Sequence, residues 1–224
     1  MLFRSLGNPA AAEAYRQVLD ALSSIKQQIP ETGQQSYRFL VAPVFQEYAS
    51  LMFRSTEGIT DQAIRNRNLR QIRDTLEQVK TAEIQEYYQD ECVVADALEN
   101  DTSEVPASAA VIYPILLPTR IEMLLSIGED MYHYTTRLTT SELELLVNDY
   151  RVELEQYGAE EDYLELSKVL YNELLAPSEA YLTGREVETL VFVPDGPLRT
   201  IPLSTLHDGE KFLIERYAIA TSPG

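Results

Sequence analysis

The first hundred residues follow the periodicity of α-helices. Asn8-Pro9 predicts the start of a first helix, because asparagine is a favourable N-cap and proline is favourable at the first helical position. Pro30 predicts its end. A second helix is predicted over 37–53, where Pro43 predicts a kink or a later start. A third extends from a Thr60-Asp61 cap to about residue 88. The positions predicted to face inward are Tyr15, Val18, Leu19, Leu22, Ile25 and Ile29; Leu40, Val44, Tyr48, Leu51 and Met52; and Ala63, Ile64, Leu69, Ile72, Leu76, Val79 and Ile84.

Residues 1–100 are therefore expected to form a helical region, either a bundle or a degenerate helical repeat, since no internal repeat has a convincing period. A polar, acidic linker at 96–108 follows. From there the pattern changes to short apolar runs mixed with helices. The order of helices first, then strands mixed with helices, predicts the α/β class for the region 101–224.

Within 101–224, an apolar strand is predicted at 109–117. The runs 120–125 and 131–138 alternate around Gly128-Glu-Asp130 and predict a β-hairpin. The remaining predicted elements are helices at 140–157 and 162–175, a break at Pro177, and strands at 189–193 and 212–220. Both of these last strands are apolar on both faces, which is typical of strands covered by helices above and below.

Net charge and hydropathy argue against two classes of binding partner, nucleic acids and membranes. Thirty-six acidic and 18 basic residues give a formal net charge of −18, which repels phosphate backbones, so nucleic acid is not an expected partner. The longest uncharged apolar run, 107–119, is too short to cross a membrane, so no membrane partner is expected either. Cys92 is the single cysteine and suits a reducing compartment, which predicts a cytoplasmic protein.

Three residues could suggest a catalytic dyad: Cys92 with either His133 or His207. Acidic neighbours would raise the pKa of the Cys92 thiol, so we predict a structural or incidental role for it. His133 alternates with two tyrosines on a strand and is predicted to be a surface or sheet-face residue. Asp195 and Arg199 follow a strand end, where α/β sheets often bind ligands, but turn geometry is the favoured interpretation of this loop.

The carboxylate pairs Asp90/Glu91 and Glu160/Glu161 lie in polar stretches and are predicted to face solvent. No glycine-rich phosphate loop, metal-ligand spacing or cofactor motif is present in the sequence. We therefore assign no catalytic, cofactor-binding or metal-binding residue and expect no cofactor.

The last sixty residues carry the most specific pattern. The run Leu190-Val-Phe-Val-Pro-Asp-Gly-Pro-Leu-Arg-Thr-Ile-Pro-Leu203 is followed by Leu206-His-Asp-Gly209 and Leu213-Ile-Glu-Arg-Tyr-Ala218. This succession resembles the CHAT domain family, most strongly over 165–224, and the block 109–157 resembles the region that commonly precedes it, so the N-terminal part of the domain is expected over 101–224. His207 lies in a turn of this motif, and the resemblance implies no catalytic role for it.

The resemblance implies a caspase-like, three-layer α/β domain of which this chain holds the N-terminal part, the complete members being cysteine peptidases. Their catalytic histidine and cysteine lie on later strands. We therefore expect the complete form to be an intracellular cysteine endopeptidase that acts on a protein or peptide and is regulated through the helical region. The alternative is a non-catalytic relative that serves as an interaction or adaptor module. An incomplete sheet also predicts pairing with a protein partner or a second copy of the chain.

Overall fold

The computed structural model describes residues 9–26, 37–88, 106–156 and 160–223. Contacts within the chain divide it into two compact units between residues 103 and 104. The first unit contains helices, and the second contains a five-stranded sheet with its own helices.

The helical unit consists of α1 (Pro9–Lys26), α2 (Tyr37–Thr56) and α3 (Gln62–Tyr88). The predicted cap of α3 is confirmed, because the Asp61 carboxylate accepts hydrogen bonds from the amides of Ala63 (2.9 Å) and Ile64 (3.1 Å). Helix α2 begins at its predicted first residue and continues through Pro43, so the later start is wrong. Pro43 is exposed, which lets solvent replace the backbone hydrogen bond that proline removes.

Most of the core of the helical unit comes from α2 and α3. Its buried residues on these helices are Val41, Phe45, Tyr48, Ala49, Leu51, Met52 and Phe53 with Leu69, Ile72, Leu76 and Val79. Among the positions predicted to face inward whose side chains the structure describes, three are exposed: Val18 (45%), Ile64 (44%) and Ala63. Leu19 occupies the buried direction of α1 instead of its neighbour. Ile64 lies roughly 140° around the helix from Leu69, because each residue turns a helix by about 100°.

The sheet has the strand order β3-β2-β1-β4-β5. Strands β1 (Ala109–Leu117), β2 (Arg120–Ile127) and β3 (Asp130–Thr136) are successive antiparallel neighbours, which confirms the predicted strand and hairpin. Strand β4 (Thr189–Phe192) pairs parallel to β1, and β5 (Ala218–Thr221) pairs parallel to β4. The structure therefore confirms the α/β class with a mixed sheet.

Helices cover one face of this sheet. They are α4 (Thr140–Glu155), α5 (Glu160–Leu174) and the short α6 (Glu179–Leu182), which follows a 3-10 turn over the predicted break at Pro177. Thr139 caps α4 in a capping box with Glu142. The shared core includes, from the strands, Ala110, Ile112, Ile121, Met123, Leu125, Ile127, Leu190 and Phe192, and, from the helices, Leu143, Val147, Tyr150, Leu170, Tyr171 and Leu174.

The opposite face is also apolar at the centre of the sheet. Val111, Tyr113 and Ile115 of β1 alternate with the core residues, and Leu124 and Met131 continue the same face on β2 and β3; all five are buried. Strand β1 is therefore buried on both faces, as expected of a central strand in an α/β sheet.

The strand predicted over 212–220 is wrong in extent and in burial. Phe212 forms an isolated bridge with His207, and Leu213–Glu215 is a 3-10 turn, so the strand is limited to Ala218–Thr221. The turn forms because Leu213 is buried and its amide donates to the carbonyl of Leu206 at 2.7 Å. Ala218, Ala220 and Thr221 are exposed, so β5 is not covered on both faces.

The loop after β4 generates a stability prediction. Gly196 has φ of +51°, and a Cβ there would lie 2.8 Å from Leu116 Cδ1, whose side chain is buried. We expect Gly196→Ala to lower the free energy of unfolding by about 2–4 kcal/mol, since strain and overpacking add. Gly128→Ala is the matched control: φ is +55° and nothing lies within 4 Å of the added Cβ, so a cost of about 1 kcal/mol is expected. Equal costs in urea unfolding would contradict the close approach to Leu116.

Candidate functional site

The carboxyl ends of the parallel strands β1, β4 and β5 point to the same edge of the sheet, where α/β proteins commonly place their functional loops. The segment 193–200 leaves β4 at this edge. Val193 continues the pairing, since its amide donates to the carbonyl of Ile112 at 2.9 Å. A 3-10 turn, Gly196–Thr200, then directs Leu198 into the core.

Asp195 and Arg199 form an ion pair across this turn. An Nη of Arg199 lies 3.5 Å from an Asp195 carboxylate oxygen, and its Nε donates to the carbonyl of Pro194 at 3.1 Å. Both side chains are partly exposed. The pair therefore closes the turn, as the favoured interpretation predicts, and also presents a carboxylate and a guanidinium at the edge of the sheet. These groups can orient a charged ligand.

His207 lies in the predicted turn and is buried there. Its Nδ1 accepts a hydrogen bond from the amide of Gly209 at 2.9 Å, and its ring packs edge-on against Phe212 with the ring centroids 4.8 Å apart. The accepting Nδ1 leaves Nε2 to carry the proton in the neutral ring. Through these two contacts, His207 stabilises the turn 207–212.

His133 lies on the sheet face opposite the main core and belongs to a cluster that the sequence reasoning missed. Its Nε2 lies 3.0 Å from Oε2 of Glu122, and the same oxygen accepts a hydrogen bond from the hydroxyl of Thr135 at 2.6 Å. The other oxygen, Oε1, accepts from Nε of Arg120 at 2.5 Å. The Glu122 side chain is only 3% exposed. A glutamate within the mostly apolar run Arg120–Ile127 was the available signal in the sequence.

The contacts of Glu122 decide its charge. Burial alone would raise the pKa of this carboxyl group, but hydrogen bonds from His133, Thr135 and Arg120 outweigh burial and hold the pKa below its usual value. Glu122 is therefore an ionised, fully partnered carboxylate inside the hairpin β2–β3.

A second polar cluster, also missed, surrounds Arg216 at the amino end of β5. Its guanidinium contacts Glu179 (2.9 Å), Asp208 (2.9 Å) and the hydroxyl of Tyr171 (3.1 Å). The Glu179 hydrogen bond raises the pKa of Arg216 despite partial burial. Because the cluster joins α5, α6 and the turn at 207–212, it fixes the point from which β5 enters the sheet, where the amide of Ala218 bonds the carbonyl of Glu188.

Several residues considered from the sequence lie outside what the structure describes. Cys92 and the pair Asp90/Glu91 fall between the described ranges, as do the side chains of Glu160 and Glu161. Across the residues that the structure does describe, no group of three histidine, cysteine or acidic side chains could hold a metal ion. No helix in the same ranges is long and apolar enough to span a membrane.

The Glu122 cluster predicts a pH-dependent stability. Its folded-state pKa lies below the unfolded value of about 4.3, so its stabilisation is fully present above that pH and is lost as pH falls through the folded pKa. We expect Glu122→Gln to lower the free energy of unfolding by about 2–4 kcal/mol at pH 7, since Arg120 loses its charged partner. The difference between variant and wild type should shrink on acidification to pH 3. A difference that stays constant with pH would show that Glu122 is not ionised in the folded protein.

The sequence comparisons agree with this geometry. A family model of the CHAT domain matches residues 164–224, which confirms the resemblance predicted over 165–224. No curated protein matches the chain. The matched segment extends from α5 through the loop after β4 and the Arg216 cluster to β5. The C-terminal segment 164–224 of this chain is therefore similar to the CHAT domain, and the first three strands of its sheet precede the match.

Proposed function

We propose that the protein carrying this sequence is a caspase-like cysteine endopeptidase, to which residues 106–223 contribute the framework of the catalytic domain. The observation that carries the proposal is the CHAT match on strands β4 and β5, parallel to β1 in a mixed α/β sheet. In this arrangement the carboxyl edge of the parallel strands is the place for catalytic loops, and the Asp195–Arg199 turn lies at that edge. A protein or peptide is the substrate class that the family relation favours.

A cysteine peptidase needs a thiolate and an imidazole that can exchange protons with substrate. The two histidines have other partners: Glu122 engages His133, and the Gly209 amide engages His207. We therefore place the catalytic dyad on strands beyond this sequence. The acidic sequence around Cys92 supports the same assignment.

The alternative function, an interaction module, is favoured by a surface of the helical unit. A groove of about 640 Å³ lies along α3 and is lined by Ala63, Asn66, Arg67, Arg70, Gln71 and Asp74. Residues 62–80 contain five basic and two acidic side chains in a chain whose net charge is −18. We propose that this groove receives an acidic peptide segment, either from the regulator of the peptidase or from an adaptor's partner.

If the protein is an endopeptidase, activity should be found in the full-length protein and not in the 224-residue chain. The full-length protein should cleave members of a peptide library, and alkylation of its thiols should abolish cleavage, because the thiolate is the nucleophile. Cys92→Ser should leave that activity unchanged. The 224-residue chain alone should show no turnover. Turnover by this chain that disappears in Cys92→Ser would overturn the assignment, and an inactive full-length protein would favour the adaptor function.

The groove prediction uses two charge reversals on one helix. A labelled oligoglutamate peptide should bind the chain at low salt, and Arg67→Glu should weaken binding about fivefold or more, as the loss of a specific charge contact does. Arg65→Glu is the control, because Arg65 lies outside the groove lining and its guanidinium donates to the carbonyl of Ile59 at 2.6 Å. Equal weakening by both variants would mean that the peptide responds only to the general field of the helix.

A further inference from the structure

The groove along α3 offers hydrogen-bond donors from one side of the helix. The lining residues whose side chains can donate are Asn66, Arg67, Arg70 and Gln71. They are one to five positions apart, so their side chains lie on successive turns of the same side. The Oδ1 atom of Asn66 accepts a hydrogen bond from Nε2 of Gln62 at 3.0 Å, which leaves the Nδ2 group of Asn66 as a donor.

The positive charge of the groove comes from Arg67 and Arg70. Asp74 is the acidic residue of the lining, and its charge is offset by Arg73, whose Nε and an Nη donate to one carboxylate oxygen at 3.0 and 2.7 Å. Arg67 is exposed, and no hydrogen bond or ion pair joins its side chain to another residue that the structure describes. The groove therefore presents net positive charge in a chain whose own net charge is −18.

The number of donors indicates which anion the groove fits. Arg67 and Arg70 are three residues apart, so their Cβ atoms lie roughly 5–6 Å apart and each guanidinium can present two N–H groups to the same anion. The amide groups of Asn66 and Gln71 raise the donor set to about six. A carboxylate has about four acceptor positions and one negative charge. A phosphate group on a side chain has three acceptor oxygens and a charge near −2, so it matches the donor set better.

We infer that the groove binds a peptide segment that carries a phosphorylated side chain, with the phosphate group between Arg67 and Arg70. The site is the groove proposed above to receive an acidic segment, so the inference rests on that proposal. A peptide is favoured over a nucleic acid or an anionic membrane, because a net charge of −18 repels a ligand more strongly the more phosphates it carries. The partner would then dock only after a phosphoryl-transfer reaction has modified it.

Fluorescence anisotropy with three labelled peptides of one sequence tests the ligand class; their central residue is phosphoserine, glutamate or serine. At neutral pH the phosphoserine peptide should bind the 224-residue chain about tenfold more tightly than the glutamate peptide, and the serine peptide should not bind. Affinity for the phosphoserine peptide should fall as pH is lowered through about 6, where the phosphate takes up its second proton. Affinity for the glutamate peptide should stay constant over that range. Inorganic phosphate should compete only at concentrations far above that of the peptide.

Conservative variants test the two arginines without changing the charge of the groove. Arg67→Lys and Arg70→Lys each remove one planar pair of donors, so each should lower the preference for phosphoserine over glutamate about threefold or more. Arg65→Lys is the control and should leave the preference unchanged, because Arg65 lies outside the lining and donates to the carbonyl of Ile59 at 2.6 Å. Circular dichroism should show wild-type helix content in all three variants.

Equal affinity for the phosphoserine and glutamate peptides would overturn the phosphate assignment and leave the acidic-segment proposal standing, whereas binding of neither peptide would overturn both. Inorganic phosphate that binds as tightly as the phosphopeptide would show a site for the free anion instead. A preference that survives when Arg67→Lys and Arg70→Lys are combined would place the phosphate elsewhere. A single-stranded oligonucleotide that binds more tightly than the phosphopeptide would contradict the choice of a peptide.

Discussion

The sheet unit depends on the position of β1. This strand is buried on both faces and paired on both edges, antiparallel to β2 and parallel to β4. A hairpin satisfies the first pairing with a turn at Pro118-Thr119, but a parallel neighbour requires the chain to cross back to the other end of the sheet. The helices α4 to α6 make that crossing, which explains why they lie together on one face. The close approach of Gly196 to Leu116 follows, because the loop after β4 turns against the far end of β1.

Two ionic clusters fix the outer strands around this centre. Glu122 joins β2 to β3 through His133 and Thr135, and Arg216 joins the helices to the start of β5 through Glu179 and Asp208. Partly buried charges of this kind contribute little net stability over an apolar pair, but removal of one partner is costly. Their main effect in this fold is to specify register and entry point at the two edges, where fewer apolar contacts are available.

Local signals accounted for most of the secondary structure. The Asp61 cap, the hairpin around Gly128 and the break at Pro177 each depend on neighbouring residues, so they could be predicted from the sequence. The motif at 190–203 likewise located the CHAT segment. In contrast, Val18 and Ile64 were predicted to face inward but are exposed. Helical spacing alone does not determine which side of a helix packs against its neighbour.

The remaining differences arise from contacts between distant residues. The run 212–220 is β-prone, but the bond from Leu213 to Leu206 folds its first half into a turn. The ion pairs of Glu122 and Arg216 could not be identified from the sequence. His133 lies 11 residues from Glu122, and Glu179 lies 37 residues from Arg216. Only the strand register and the helix crossing bring these groups together.

Amide hydrogen exchange along β5, measured by NMR on a dilute sample of this 224-residue chain, tests most directly that the strand is short and pairs with β4. The account predicts slow exchange at Ala218, Ala220 and Ser222, whose amides bond β4, and fast exchange at Ile219 and Thr221. Uniform protection from residue 212 to 220 would instead indicate a long strand paired on both sides. Uniformly fast exchange would mean that β5 is not part of the sheet, and either result would contradict the account.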